Sequence, residues 1–195
     1  MSRERMAAAN QRGVALVTSI LLLLIITILA LSMFRSFGTQ ERIAGNLREK
    51  ERALHAADSA QQYAEWWLLQ SNNTAAGAVA CSASLVASPT LGQICNETPT
   101  QQYAVTSITS LPLPWPIQVS YTPPGMLLVG QPAQAGNPPY FNTPAFWITD
   151  LGIAADAAGE AYQIDAYGFG SAANTVAIVE SVYEVQQGVV NRGGL

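Results

Sequence analysis

Residues 14–34 read VALVTSILLLLIITILALSMF, an uncharged run long enough, at about 1.5 Å per residue, to cross a hydrocarbon layer of about 30 Å as a helix. The segment before it, MSRERMAAANQRG at 1–13, sets three arginines against Glu4. The positive-inside rule therefore keeps that end cytoplasmic and places the C-terminal body on the other side of the membrane. An ordinary secretory signal has an apolar core of about 7–15 residues and then a small-residue cleavage site. Ala30-Leu31-Ser32 fits such a site weakly, but the run is longer than that class uses, and a cut there would sever it from its own continuation.

That continuation runs from 35 to about 69 without a proline, carrying Ile43, Leu47, Leu54, Ala57, Ala64 and Leu68 at spacings of three, four and seven. With the apolar run it predicts one helix of about 55 residues, or about 80 Å, in which Gly38 and Gly45 are tolerated weak points. A soluble domain offers packing for only the second half of such a helix. The first half needs membrane or neighbouring copies.

Two stretches carry a family resemblance. QRGVALV at 11–17 leads into the apolar run, and QERIAGNLREKERALHAADSA at 40–60 comes after it, with Gln40-Glu41-Arg42, Gly45-Asn46 and an alanine-rich acidic stretch in order. Together they resemble the N-terminal signature of the PilX family of type IV pilus minor pilins. The resemblance implies a prepilin leader at 1–13 ending in Gly13, its removal by prepilin peptidase on the cytoplasmic face, and an N-methylated Val14 as the mature terminus. It also implies a bacterial inner-membrane subunit with a periplasmic body before assembly, and a place in the surface filament afterwards. Its partners would be other minor pilins, the major pilin and the inner-membrane assembly platform. Major pilins carry a glutamate five residues into the mature chain that pairs with a neighbour's terminal amine, whereas this chain has Thr18 there. An intramembrane carboxylate is costly unless paired, so a subunit without one suits a tip or initiation position.

Charge is segregated along the chain. Eight of the nine basic residues lie at or before Arg52, and from 53 onward Arg192 alone faces nine acidic side chains. So acidic a body repels phosphate backbones, which argues against nucleic-acid binding. Before that point, Arg35, Arg42, Arg48, Lys50 and Arg52 interleave with Glu41, Glu49 and Glu51 and read mainly as solvated surface pairs. Cys81 and Cys95 have a spacing that no common zinc or redox motif uses, with no histidine nearby. A disulfide formed outside the cytoplasm is the simpler reading, with two free thiols as its alternative.

The polar, small-residue stretch SNNTAAGAVA at 71–80 ends the long helix near Ser71. Strand-like runs then appear at 102–109, 117–121, 145–149, 161–169 and 175–185, the last two close enough to form a hairpin. The expected fold class is α+β, a pilin-like ladle whose long N-terminal helix lays its outer half on a C-terminal antiparallel sheet. The regions are a leader at 1–13, a membrane or filament-core helix at 14–34, its amphipathic continuation at 35–70 and a periplasmic domain at 71–195. Nine of the eleven prolines fall in 111–144, which predicts surface loops. Trp115, Tyr140 and Phe141 in that region are candidate partner contacts or caps on the domain's own core. Of the adjacent Trp66 and Trp67, pointing about 100° apart, one can face the sheet squarely.

No enzyme chemistry is legible. His55, the single histidine, sits in the helical stretch without a nucleophile or carboxylate at triad spacing. Asp150, Asp156, Glu160 and Asp165 lack the pattern of a calcium loop and read as solvated charges. Neither a metal, a cofactor nor a small-molecule substrate is implied. The alternatives to a minor pilin are the tip pseudopilin of a type II secretion system and a non-polymerising membrane-anchored binding module or adhesin.

Overall fold

The computed structural model describes residues 3–70, 73–75, 77–86, 92–132, 134, 136 and 138–186, and Arg192 lies outside them. With no proline to interrupt it, the chain forms helix α1 (Arg3–Leu68). Contacts divide the molecule into two units, Met1–Leu47 and Arg48–Leu195.

In the first unit the helix presents its apolar side chains at 14–34 outward, none of them buried. Three hydroxyls in this run are satisfied within the helix. Thr18, Ser19 and Thr27 donate to the carbonyls of Ala15, Leu16 and Leu24 at 3.0, 2.8 and 2.8 Å, the usual outlet for Ser and Thr where water is absent.

In the second unit the end of α1 is joined by strands β1 (Leu85–Val86), β2 (Val119–Ser120), β3 (Ala145–Ile153), β4 (Glu160–Phe169) and β5 (Val176–Val185), which lie in the sheet in that order. β2 to β5 pair antiparallel, and β1 joins β2 in parallel. The β3–β4 ladder carries a bulge between Asp150 and Gly152, where Gly152 takes a φ of +81° and its N–H donates to Asp150 Oδ1 at 2.7 Å. The β4–β5 ladder is regular over ten pairs.

Both faces of β3 and β4 are covered. On one face Phe146, Ile148, Tyr162, Ile164 and Ala166 meet Ala60, Ala64, Trp67 and Leu68 of α1. On the other, Trp147, Tyr167 and Phe169 meet Leu111, Trp115 and the Cys81–Cys95 pair. The proline-rich segment thus encloses a second core rather than lying wholly on the surface. Trp115 sets its ring edge on Tyr167, with centroids 4.8 Å apart.

Several expectations are corrected. The stretch 102–109 is not a strand but the end of a short helix, α2 (Pro99–Gln102), a turn and a 3-10 turn at Ile108–Ser110. A capping box between Thr98 and Gln101, with proline in the first turn, starts the helix. Ala104 at φ 50° then breaks any extended path. The long helix stops at Leu68, where the Asn73 side chain donates to the Trp67 carbonyl at 2.7 Å. Its stripe differs in part: Ala57, Ala64 and Leu68 are buried as the spacing predicts, whereas Ile43, Leu47 and Leu54 are exposed, and Ala53, Ala56, Ala60 and Trp67 are buried as well. Finally, Asp165 is not solvated but fully buried on β4.

Candidate assembly surfaces

The alanine stripe exists because α1 lies almost against the strand backbone. A Cβ at Gly168 of β4 would stand 2.4 Å from Ala57 N, 2.6 Å from Ala53 O and 2.6 Å from Ala56 Cβ, so only glycine fits. Larger side chains on this face of the helix would push the two elements apart.

Next to this contact the acidic-basic stretch of α1 forms a clamp. Glu49 Oε2 accepts from the Ser171 N–H at 2.8 Å and from the Ser171 hydroxyl at 2.5 Å. Arg52 donates to Glu49 at 3.0 Å and to the Pro138 carbonyl at 2.5 Å, and its guanidinium lies 4.4 Å from the centroid of the Tyr140 ring. The Ser171 hydroxyl, then its backbone N–H and Arg52, hold the Glu49 carboxyl below the usual carboxylate range against the opposing effect of burial. Glu49 and Arg52 are therefore not solvated surface charges. They tie the helix to the β4–β5 turn and to the proline-rich loop, contacts that no spacing rule announces because Ser171 and Pro138 are remote in sequence.

The remaining residues singled out from sequence separate clearly. Gly13 and Val14 lie within α1, and Gln40, Glu41, Arg42, Gly45 and Asn46 stand exposed on it. Thr18 points its hydroxyl to its own helix. Cys81 and Cys95 are bonded, with Cα atoms 5.4 Å apart, and a closed loop of this size contributes about 3 kcal/mol. Cys95 is itself bonded to β3, its N–H to the Ile148 carbonyl at 2.8 Å and its carbonyl to the Asp150 N–H at 2.9 Å. Trp115, at 2 % exposure, is enclosed in the core and is removed from the candidate contacts. Tyr140 is half-buried over Arg52, and Phe141 remains exposed while packing on Phe169. Trp67 is buried and Trp66 is 44 % exposed.

Beside the helix, Ser59, Gln62, Tyr63, Trp66 and Tyr121 line an open depression of about 390 Å³, in which the Tyr63 and Tyr121 rings stack at 4.1 Å. His55 is exposed and lines a second depression, of about 270 Å³, with Pro123, Pro124 and Met126. Among the described residues no three His, Cys, Asp or Glu side chains converge as a metal site.

Residues 12–61 match a family model described as PilX N-terminal. This stretch of about a quarter of the chain is similar to the PilX N-terminal region. No curated protein and no solved structure matches the chain. The PilX-type region takes in the exposed apolar run, the exposed motif residues, the clamp at Glu49 and Arg52, and most of the alanine stripe. The helix Val14–Leu68 is long and apolar enough to supply a single membrane anchor.

Proposed function

We propose that the protein is a minor pilin that takes part in initiating a type IV pilus, at or near the filament tip. Before assembly it sits in the inner membrane with its N-terminus cytoplasmic and its body periplasmic. Prepilin peptidase cuts between Gly13 and Val14, and Val14 is methylated. Helix packing through 14–52 joins it to the major pilin and to other minor pilins on the assembly platform, and Tyr140 and Phe141 offer lateral contacts.

The observation that carries the tip position is Thr18 within an otherwise complete PilX-type helix. Its hydroxyl is bonded to the Ala15 carbonyl, so the residue asks nothing of a neighbour's terminal amine. A glutamate there would stay costly until paired. The test compares cells carrying wild-type protein or Thr18→Glu. Thr18→Glu should spread the protein along sheared filaments, and an unchanged abundance and location would count against the tip assignment. The mass of the mature N-terminus, with and without prepilin peptidase, checks processing: a methylated Val14 start that requires the peptidase is expected. An uncleaved start at Met1 would favour a permanently anchored binding module.

A further inference from the structure

β5 closes one side of the sheet, and among the described residues nothing pairs with its outer edge. All ten of its residues pair with β4 without a register shift, so the free edge is unbroken over that length. Solvent-facing edges are commonly blunted by lysine, proline, a bulge or a very short strand. The sequence of β5, VAIVESVYEV, has no lysine, proline or bulge, and the charges it carries are the glutamates Glu180 and Glu184. At the other side of the sheet β1 is only two residues long.

The direction of the free groups is set by the hairpin. The Gly170 N–H donates to the Thr175 carbonyl at 2.8 Å, and hydrogen-bonded and non-bonded pairs alternate along an antiparallel ladder. The N–H and C=O groups of Val176, Ile178, Glu180, Val182 and Glu184 therefore point away from β4. Side chains of these residues share the sheet face turned away from α1, where Val176 and Ile178 join the second core and Val182 is 65 % exposed. Glu180 and Glu184 flank Val182 and are exposed.

This charge pattern selects the occupant. Two copies of β5 paired antiparallel about Val182 would set Glu180 of each directly opposite Glu184 of the other, which is unfavourable. A strand with basic side chains at alternate positions would instead meet both carboxylates while its backbone completed the ladder. We propose that the outer edge of β5 is a docking site for an extended, Lys- or Arg-bearing segment of a partner protein, added as a sixth strand. The proposal stands independently of the tip position.

The test uses the full chain in detergent micelles and two ten-residue peptides, one alternating valine or threonine with lysine and one with glutamate in place of lysine. The basic peptide should slow hydrogen exchange of the outward β5 amides by about tenfold, less so as salt rises, and the acidic peptide should not. Val182→Pro removes one outward N–H without touching the ladder to β4, and should abolish the protection. Glu180→Lys with Glu184→Lys should transfer the preference to the acidic peptide, which keeps the test decisive where the proline variant does not fold. No protection by the basic peptide, or equal protection in a folded Val182→Pro chain, overturns the proposal. Concentration-dependent protection of the peptide-free chain, lost in Val182→Pro, assigns the edge to a second copy and overturns the basic partner.

Discussion

Replacing Gly168 by alanine tests how closely α1 is seated on the sheet. The added methyl would lie 2.4 Å from Ala57 N, 2.6 Å from Ala53 O and 2.6 Å from Ala56 Cβ. Non-bonded carbon atoms rest at about 3.5–4.0 Å, so the site is short by roughly 1 Å on three sides. Two of the three obstacles are helix backbone and cannot rotate aside, which leaves lifting of the helix or bending of β4 as the only relief. Overpacking of this kind costs about 1–3 kcal/mol. Because a lifted helix also loosens Ala53, Ala56, Ala57 and Ala60, the upper end, about 3 kcal/mol, is expected. At about 2–4 °C per kcal/mol for a domain of this size, the melting midpoint should fall by roughly 6–12 °C. Near-ultraviolet circular dichroism of the full chain in detergent reads the transition through Trp67, Trp115 and Trp147, which are all buried. Ala56→Gly should not rescue the variant, since it leaves both backbone contacts in place. A midpoint within about 1 °C of wild type, or full rescue by Ala56→Gly, would refute the reasoning.

Two further outcomes concern charge. Glu49→Gln should destabilise the body by about 1–2 kcal/mol at neutral pH, since it weakens charge-assisted bonds to Ser171 and Arg52. The folded carboxyl is held below its ordinary value of 4.5, so that stability is present above this pH and lost as pH falls through the folded value. Urea midpoints of variant and wild type should converge on acidification. Asp165 behaves oppositely: burial, with Glu180 nearby, pushes its carboxyl up from 3.8 to about 7, against the Gln163 hydrogen bond. The unfolded chain then ionises before the folded one, and wild-type stability falls as pH rises from about 4 to 7. Asp165→Asn should therefore stabilise the body at pH 8 by on the order of 2–4 kcal/mol. The gain should vanish near pH 4, and a pH-independent difference in urea midpoint would contradict this account.

The sequence announces the features that depend on long, regular pattern. The uncharged run at 14–34 and the proline-free continuation can hardly be anything but helix, and the β-rich runs at 145–149, 161–169 and 175–185 emerge as β3, β4 and β5. Features that depend on distant partners are not legible. The apolar spacing marks Ala57, Ala64 and Leu68 correctly but also Leu54, which is exposed, and it does not mark Ala53 and Ala56, which the close approach at Gly168 brings against the strand. Polar and apolar residues alternate at 102–109 as in a strand, yet the local capping chemistry of Thr98 and Gln101 prevails. β1 is too short for any periodicity to reveal. Asp165 looks solvated until the second core is known to cover its face of β4, and the roles of Glu49 and Arg52 need Ser171 and Pro138 in place.

The seating of α1 also bears on how the body withstands force. In a subunit drawn along its N-terminal helix, Ala53, Ala56 and Ala57 are seated against Gly168 of β4, so sliding the helix past the strand must disrupt these close contacts together. Peeling the helix away from its N-terminal end would instead break those contacts one turn at a time, at much lower load. Glu49 and Arg52 sit on the first turns where such a peel would begin, and their bonds to Ser171, Pro138 and Tyr140 oppose it there. Under tension the clamp acts as a stop against unzipping, and the alanine row carries the load in shear.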